Sequence, residues 1–316
     1  MAWRKGNRLP VVTEAQASGR TLEIYNEIKS ALGLPYVNVV FQVYGGFPVF
    51  LDLHWRMLKP VVETRAFFEI GERLRADAFT RMHNYFEIPD LCAQMVDMHF
   101  SEGARAELTE VVDLLLYNNP LLLLMVAAQM QAFEGAVGAP NAQREPASPL
   151  KFETPPILID EDAASPTVRK IYEDMKRVFG MPVVHSDYRA LARWPDFLQA
   201  YWAVLKPTTE SPLYHQCLNG SRESAWVLSR ELPGPFEQTV SSLEDAGMDE
   251  ADIASVVRLT MLFSNTLSGT VLNNCLAKIG LEGGNMAHRA KRREETKQTP
   301  GTPEPVSATK EPTRAA

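Results

Sequence analysis

The stretch IYNEIKSALGLPY at residues 24–36 returns as IYEDMKRVFGMPV at residues 171–183, 147 positions later. A second pair follows in the same register, FPVFLDLHWRMLKP at residues 47–60 and WPDFLQAYWAVLKP at residues 194–207. The alignment of residues 10–63 with the second copy needs no gap, and 17 of its 54 positions are identical. Self-similarity at a fixed spacing indicates two copies of one structural unit. The sequence therefore predicts two repeats that bury their apolar faces against each other, like a dimer fused by a linker.

Both copies carry helical signals. Apolar residues recur at three- and four-residue spacing, and the first helix of each copy ends at a Gly-x-Pro step, which is typical of a helix C-terminus. The second helix of each copy begins at a proline and is expected to end at a Lys-Pro step. No sustained alternation of apolar and polar residues indicates a strand. We therefore predict an all-α fold of two homologous helical repeats that form a pseudo-dimer within one chain. The predicted helices cover residues 14–32, 48–58, 102–133, 161–179, 195–205 and 249–279.

Composition divides the chain into repeats, a linker and tails. The residues after the first repeat are rich in Pro, Ala, Gly and charge, and the C-terminal end lacks apolar periodicity, which is typical of disorder. The predicted segments are an N-terminal tail at 1–9, helical repeat 1 at 10–135, a linker at 136–155, helical repeat 2 at 156–284 and a disordered tail at 285–316.

Bulk properties restrict the partners and the compartment. The net charge of −7 argues against nucleic acid, because phosphate binding needs a basic surface. The apolar run at residues 114–130 is interrupted by Asn118, Asn119 and Pro120, and we expect it to be too short and too polar to span a membrane. Three scattered cysteines and the lack of an N-terminal apolar signal segment predict a cytoplasmic protein with free thiols.

Motifs for metals, nucleophiles and phosphates are absent from the sequence. The six histidines form no HxxH or HxxxH pair, and the three cysteines form no CxxC pair. Neither a GxSxG elbow nor a glycine-rich phosphate loop is present. We therefore predict neither a metal site nor an organic cofactor.

Two polar positions stand out against apolar surroundings. Asn119 lies in the sequence Tyr-Asn-Asn-Pro between two runs of leucine. It is interpreted either as the N-cap of a helix that begins at Pro120, or as a side chain that faces a cavity and holds a water or a substrate. Asp187 stands where the first copy has the apolar Val40. It is interpreted either as a helix N-cap, together with Ser186, or as a general base beside backbone N–H groups that bind an anion.

These residues carry a resemblance to a known family. The chain resembles the group I 2-haloacid dehalogenases of the DehI type, which have two helical repeats, an Asn-Pro step in an apolar segment of repeat one, and a Ser-Asp-(Phe/Tyr)-x-Ala-Leu-Ala-x-Trp-Pro stretch in repeat two. Here the Asn-Pro step is Asn119-Pro120, and the second motif reads SDYRALARWP at residues 186–195. The likeness covers residues 10–284.

The resemblance implies a mechanism without a metal or an organic cofactor. Asp187 would activate a water that attacks the halogen-bearing carbon of a 2-haloacid directly and inverts its configuration, while Asn119 holds that water. Ser186 and neighbouring backbone amides would bind the substrate carboxylate. Tyr36, Val39 and Tyr188 would line an apolar cradle for the halide.

The pocket also departs from the family pattern. Family members tend to carry larger aromatic residues at Tyr36 and Val39, and a small or amide residue at His185; Asn118 replaces a smaller residue. The leading hypothesis is dehalogenation of a short 2-haloalkanoic acid, a small-molecule carboxylic acid. The alternatives are a binding protein that kept the fold and a hydrolase of another small acid. Assembly of copies into a homo-oligomer is left open.

Overall fold

The computed structural model describes residues 9–181 and 183–286. Within these residues lie twelve α-helices, one short 3-10 helix at Ser229–Glu231 and three isolated β-bridges, with no strand, so the predicted all-α class is confirmed. Residues 1–8 of the predicted N-terminal tail and residues 287–316 of the predicted C-terminal tail lie outside the described residues. So does Pro182, the proline of the second Gly-x-Pro step. The helices are α1 (Gly19–Leu32), α2 (Val39–Tyr44), α3 (Pro48–Val62), α4 (Arg65–Tyr85), α5 (Leu91–Asp97), α6 (Glu102–Ala132), α7 (Pro166–Phe179), α8 (Ser186–Leu191), α9 (Pro195–Thr209), α10 (Pro212–Leu228), α11 (Val240–Asp245) and α12 (Glu250–Leu281).

Helices α1 and α7 begin five residues later than the sequence predicts, at Gly19 and Pro166. The predicted first residues, Glu14 and Glu161, serve as side-chain bridges instead. Glu14 accepts a hydrogen bond from Lys29 Nζ at 2.7 Å and another from the Val37 backbone N–H at 2.7 Å. These bonds hold the segment before α1 against the loop after it, and apolar periodicity alone does not report them.

Helices α3 and α9 run past the Lys-Pro steps at which we expected them to end. Pro60 lies inside α3, which continues to Val62. Proline removes one helical hydrogen bond, but Val61 and Val62 are both buried, and their packing keeps the last turn helical. In α9 the helix continues through Pro207 to Thr209, whose hydroxyl donates to the Lys206 carbonyl at 2.8 Å.

The same elements recur 147 residues apart. The bounds of α1, α2 and α3 shifted by 147 are the bounds of α7, α8 and α9. The hydroxyl of Tyr25 donates to the Val12 carbonyl at 2.8 Å, and that of Tyr172 donates to the Ile159 carbonyl at 2.9 Å. Corresponding side chains therefore make corresponding bonds in the two halves.

The centre of the molecule is formed by α6 packed along α12. By length and composition α6 could cross a membrane, contrary to the expectation that the apolar run is too short. Of its most apolar 18-residue window, 83% is buried inside the protein. Burial of this kind is typical of the core helix of a globular protein. That the protein has no membrane partner stays a prediction from the sequence.

Two segment boundaries gain detail from the structure. The predicted linker contains no helix, and it touches both halves, because Val137 bridges to Phe236 and the Phe152 N–H donates to the Gly33 carbonyl. Asn285, which we expected to begin a disordered tail, is instead fully buried. Its amide accepts from the Ile88 N–H and donates to the carbonyls of His83 and Phe86. The ordered structure therefore extends at least to Asn285.

The core contains a histidine that is buried among aromatic rings. His54 stacks on Phe50 and contacts Tyr44 edge-on, and its Nδ1 donates to Gln129 Oε1 at 2.6 Å. Burial lowers the pKa of His54 from 6.5 to about 4, and the bond to Gln129 only partly opposes that shift. The ring is therefore neutral in the folded protein at pH 7.

This histidine predicts an acid-dependent loss of stability. Between pH 6.5 and about 4 the unfolded chain binds a proton at His54 that the folded chain does not, so the free energy of unfolding falls as the pH falls through this window. The full effect is about 3 kcal/mol. We expect His54→Gln, which keeps a hydrogen-bonding group but does not titrate, to show a correspondingly weaker dependence in urea unfolding at pH 7 and pH 4.5. His83→Gln, a half-buried control, should retain the wild-type dependence; an unchanged slope in His54→Gln would contradict the prediction.

Candidate active site

The carboxylate of Asp187 is buried at the start of α8. Ser186 and Asp187 are the first two residues of the helix, and the N-cap position is taken by His185, whose side chain makes no capping bond. The N-cap interpretation of Ser186 and Asp187 is therefore wrong. In the first half the equivalent position is Asn38, whose side chain accepts from the Val40 N–H and caps α2. Asp187 is 3% exposed and directs its carboxylate into the protein instead.

One oxygen of this carboxylate is held by two asparagines from the two long central helices. Asn119 Nδ2, from α6, donates to Asp187 Oδ2 at 2.5 Å. Asn274 Nδ2, from α12, donates to the same oxygen at 2.8 Å. A buried carboxylate is costly unless it is hydrogen-bonded. Two neutral amides satisfy Oδ2 and fix the orientation of the carboxylate without an opposing charge.

The other oxygen of Asp187 is only weakly engaged. Ser186 Oγ lies 3.4 Å from Asp187 Oδ1, which is long for an O–H···O bond. An acid side chain with one satisfied and one available oxygen is suited to accept a proton at the available one.

Asn119 lies inside a helix that does not break. Helix α6 runs without interruption through Pro120, so the interpretation of Asn119 as the N-cap of a helix starting there is wrong. Packing explains the difference, because nearly every residue from Leu114 to Ala128 is buried, and this burial outweighs the hydrogen bond that proline removes. The side chain of Asn119 is thereby free to face Asp187.

The neighbouring Asn118 connects Tyr36 to the site. Asn118 Nδ2 donates to the Tyr36 hydroxyl at 3.1 Å. Asn118 Oδ1 is buried and has no hydrogen-bond partner among the described residues. The pKa of Tyr36 is raised, mainly by burial and further by the negative charge of Asp187, so its hydroxyl stays protonated. An uncharged hydroxyl and an open amide carbonyl therefore lie near the carboxylate.

Tyr188 is anchored from α12. Asn273 Nδ2 donates to the Tyr188 hydroxyl at 2.7 Å, and Asn273 Oδ1 accepts from the Tyr214 hydroxyl at 2.7 Å. The ring of Tyr188 stacks on Phe179 with 5.5 Å between centroids. Burial raises the pKa of Tyr188 well above its ordinary value. This chain of bonds fixes the residue that follows Asp187.

His185 and Val39 are placed less directly. Burial lowers the pKa of His185, and the charge of Asp187 opposes that effect without reversing it, so the imidazole is neutral at pH 7. Its ring centroid lies 6.3 Å from that of Tyr188. Val39, at the start of α2, is half-buried against the core. Its described contacts do not connect it to Asp187.

Asn273 and Asn274 were not among the site residues predicted from the sequence. A signal for them was present, because an Asn-Asn pair in an apolar helix, Leu272-Asn273-Asn274-Cys275, mirrors the pair at Asn118-Asn119. The two pairs are 155 residues apart rather than 147, so the repeat alignment does not superimpose them. Two consecutive asparagines in a long apolar segment indicate buried amides that need hydrogen-bond partners, and this pattern could have identified the pair.

Cavities lie beside the carboxylate rather than around it. Two open clefts of about 690 Å³ each lie along α6 and are not lined by Asp187. A smaller one, of about 320 Å³, is lined by His185, Tyr188 and Asn273 and adjoins the site. We regard the smaller cavity as part of the candidate site because Tyr188 and Asn273, which line it, are hydrogen-bonded to each other. Among the described residues no group of three or more His, Cys, Asp or Glu side chains could hold a metal ion.

Comparison with known proteins gives consistent matches. The family described as "Halocarboxylic acid dehydrogenase DehI" matches residues 35–188, a span that includes Asn119 and Asp187. An (R)-2-haloacid dehalogenase of Pseudomonas putida is 28% identical over 269 residues, 83% of this chain and 89% of that protein. A configuration-inverting 2-haloacid dehalogenase of Pseudomonas sp. (strain 113) is 32% identical over 222 residues, 65% of this chain and 70% of that protein. The solved complex of a D-2-haloacid dehalogenase mutant with D-2-CPA is 26% identical, with a TM-score of 0.83 over 87% of this chain and 97% of that one.

Proposed function

The chain belongs to the DehI family of 2-haloacid dehalogenases, and we propose that it is a hydrolase of carbon–halide bonds that converts short 2-haloalkanoic acids to 2-hydroxy acids. The observation that carries the proposal is the buried carboxylate of Asp187. Two asparagines hold its Oδ2, while its Oδ1 is left for a water. A base held in this way can take a proton without itself becoming the nucleophile.

The proposed step is a direct displacement by water. The water oxygen forms a bond to the α-carbon as the carbon–halogen bond breaks, and the halide leaves with the bonding electron pair. Asp187 Oδ1 takes one proton from the attacking water and later releases it to solvent. Attack from the side opposite the halide inverts the configuration. The products are a 2-hydroxy acid and a halide ion, with no ester formed on the enzyme.

The surrounding groups have proposed roles in this step. The amide of Asn119 donates to Asp187 through Nδ2, and its carbonyl is the group that we propose holds the water. Ser186 and the first backbone amides of α8 would bind the substrate carboxylate. The cradle for the halide would be formed by Tyr36 and Tyr188, with Val39 as a more distant wall, and neutral His185 would narrow it without adding charge.

We also propose that the two halves form a pseudo-dimer, with the site between them. Supporting this are the matched bounds of α1–α3 and α7–α9, and the matched bonds of Tyr25 and Tyr172. Asn119 comes from the first half and Asp187 from the second. Each half alone would therefore lack part of the machinery. The cytoplasmic location and the lack of nucleic-acid and membrane partners remain predictions from the sequence, which leaves assembly into a homo-oligomer open.

The reaction can be tested with the two enantiomers of 2-chloropropionate. We expect purified protein, without added metal or cofactor, to release chloride and to give lactate of the opposite configuration from each enantiomer it accepts. Chloride release measured together with chiral chromatography of the product checks both points. Retention of configuration would overturn the direct displacement, and no chloride from either enantiomer would overturn the dehalogenase function.

Direct attack by water can be separated from an ester intermediate by isotope labelling. In a single turnover with enzyme in excess in H₂¹⁸O, direct attack places the label in the first lactate formed. An ester on Asp187 would deliver an unlabelled carboxylate oxygen to that first product. Unlabelled lactate in the first turnover would contradict the proposed step.

A further inference from the structure

The two asparagine pairs of the central helices, at residues 118–119 of α6 and 273–274 of α12, make matched bonds around the carboxylate. The second asparagine of each pair donates to Asp187 Oδ2. The first asparagine of each pair donates to a tyrosine hydroxyl, that of Tyr36 at 3.1 Å and that of Tyr188 at 2.7 Å. Each central helix therefore holds the reacting carboxylate and, one residue earlier, a tyrosine hydroxyl.

Asn118 differs from Asn273 in how well its amide is bonded. Asn273 also accepts a hydrogen bond, from the Tyr214 hydroxyl, whereas Asn118 Oδ1 is buried and has no partner among the described residues. An unpaired carbonyl at such a position lowers stability, and the helix on both sides of Asn118 is rich in buried leucine. Folding alone therefore does not account for an asparagine here. The interaction that remains to explain it is its bond to Tyr36.

The hydroxyl of Tyr36 has its oxygen occupied and its proton available. Burial and then the charge of Asp187 raise the pKa of Tyr36, whereas hydrogen bonds from the side chains of Asn118 and Asn38 lower it. Hydrogen bonds that lower the pKa of a phenol are donated to its oxygen. A hydroxyl has one proton to donate, and no described residue accepts it from Tyr36. The second copy has Val183 at the equivalent position, so the repeat does not explain this hydroxyl.

The proposed reaction creates a halide ion in a site without a positive charge. In the part of the chain that the structure describes, no lysine or arginine is hydrogen-bonded to Asp187, Asn119 or Tyr36. Neutral donors aimed at the charge that develops in the transition state can stabilise it instead. Ser186 and the first amides of α8 have a proposed role with the substrate carboxylate. The Tyr36 hydroxyl, which is close enough to Asp187 to be affected by its charge, is the donor left for the halide.

We propose that the Tyr36 hydroxyl donates a hydrogen bond to the departing halide, and that Asn118 is a positioning residue that orients this hydroxyl. The inference rests on the proposed dehalogenase function and adds a determinant of leaving-group selectivity. As the carbon–halogen bond breaks, the halide takes the electron pair and Tyr36 keeps its proton. Electrostatic attraction falls with distance, so the smaller chloride gains more from this bond than bromide does. The pair therefore narrows the advantage that bromide has as a leaving group.

The comparison of two leaving groups provides the test. Halide release from 2-chloropropionate and 2-bromopropionate would be measured in the first turnover with enzyme in excess, so that product release does not mask the chemical step. We expect Tyr36→Phe to lower the rate about tenfold for the chloro acid and about threefold or less for the bromo acid, since one hydrogen bond to a charged group is lost. Equal losses, or a larger loss with bromide, would overturn this inference and leave the proposed function. No halide from either acid with the wild type would overturn both.

Two further variants separate the hydroxyl from packing. Asn118→Leu should move the chloride-to-bromide rate ratio in the same direction, while its midpoint of urea unfolding is no lower than that of wild type, because it removes an unpaired buried carbonyl. Tyr117→Phe is the matched control. Tyr117 is a half-buried tyrosine whose hydroxyl already donates to the Leu32 carbonyl at 2.9 Å, and the variant should keep the wild-type ratio. A wild-type ratio in Asn118→Leu would overturn the positioning role. A shift in Tyr117→Phe as large as that in Tyr36→Phe would overturn the assignment to the Tyr36 hydroxyl.

Discussion

Replacement of Asp187 by asparagine is expected to lower kcat for chloride release from 2-chloropropionate by about 10²- to 10⁴-fold, the range over which a positioned general base acts. The amide has nearly the same shape as the carboxylate but cannot take a proton from the attacking water. Because Asp187 is buried and hydrogen-bonded, the variant must also be compared with wild type by circular dichroism and urea unfolding.

The matched control for this substitution is Asp196→Asn. Asp196 occupies the same place in α9 that Asp187 occupies in α8, the second residue of the helix, but it is exposed. The two variants thus remove the same charge from the same helical position in different surroundings. We expect Asp196→Asn to keep wild-type kcat. Chloride release unaffected in Asp187→Asn would remove this residue as the base while leaving the reaction itself established.

The second large expected effect is a loss of kcat when either asparagine that donates to Asp187 is replaced. We expect Asn119→Ala to lower kcat about 10²-fold, because it loses both a donor to the carboxylate and the proposed support for the water, and small misplacements of reacting groups cost about this much. Asn274→Ala removes only the donor at 2.8 Å, and we expect a loss of about tenfold. Asn274 is therefore assigned as a positioning residue, since it acts through Asp187.

A double-mutant cycle separates this assignment from a merely structural role. Because Asn274 acts through the carboxylate of Asp187, we expect Asn274→Ala to cause no further loss of kcat when it is added to Asp187→Asn. Asn26→Ala, an exposed asparagine on helix α1, is the control and should not change kcat. The same fold loss from Asn274→Ala in the wild-type and Asp187→Asn backgrounds would count against its action through Asp187.

Local signals predicted six of the twelve α-helices in the described residues, and not all of the ends of those six. Periodicity and N-caps reflect the energy of a single helix. Glu14 and Glu161 lie outside α1 and α7, where each accepts a hydrogen bond from a lysine of the helix and another from a backbone N–H beyond it. Pro60 and Pro120 were expected to end or begin helices, and burial of their neighbours carries the helix through them. Where tertiary packing outweighs one lost hydrogen bond, a sequence pattern of this kind misplaces the boundary.

The sequence by itself determined the all-α class, the recurrence of one pattern at 147 residues, and the two residues, Asn119 and Asp187, that the structure brings together. Polar side chains in apolar segments can be recognised without a structure because burying them without a partner is costly. Tertiary structure alone decided which partners they have. Asn274 lies 87 residues from Asp187 along the chain and meets it because α6, α8 and α12 converge. Contacts at such separation depend on the packing of whole helices, and no local pattern encodes that packing.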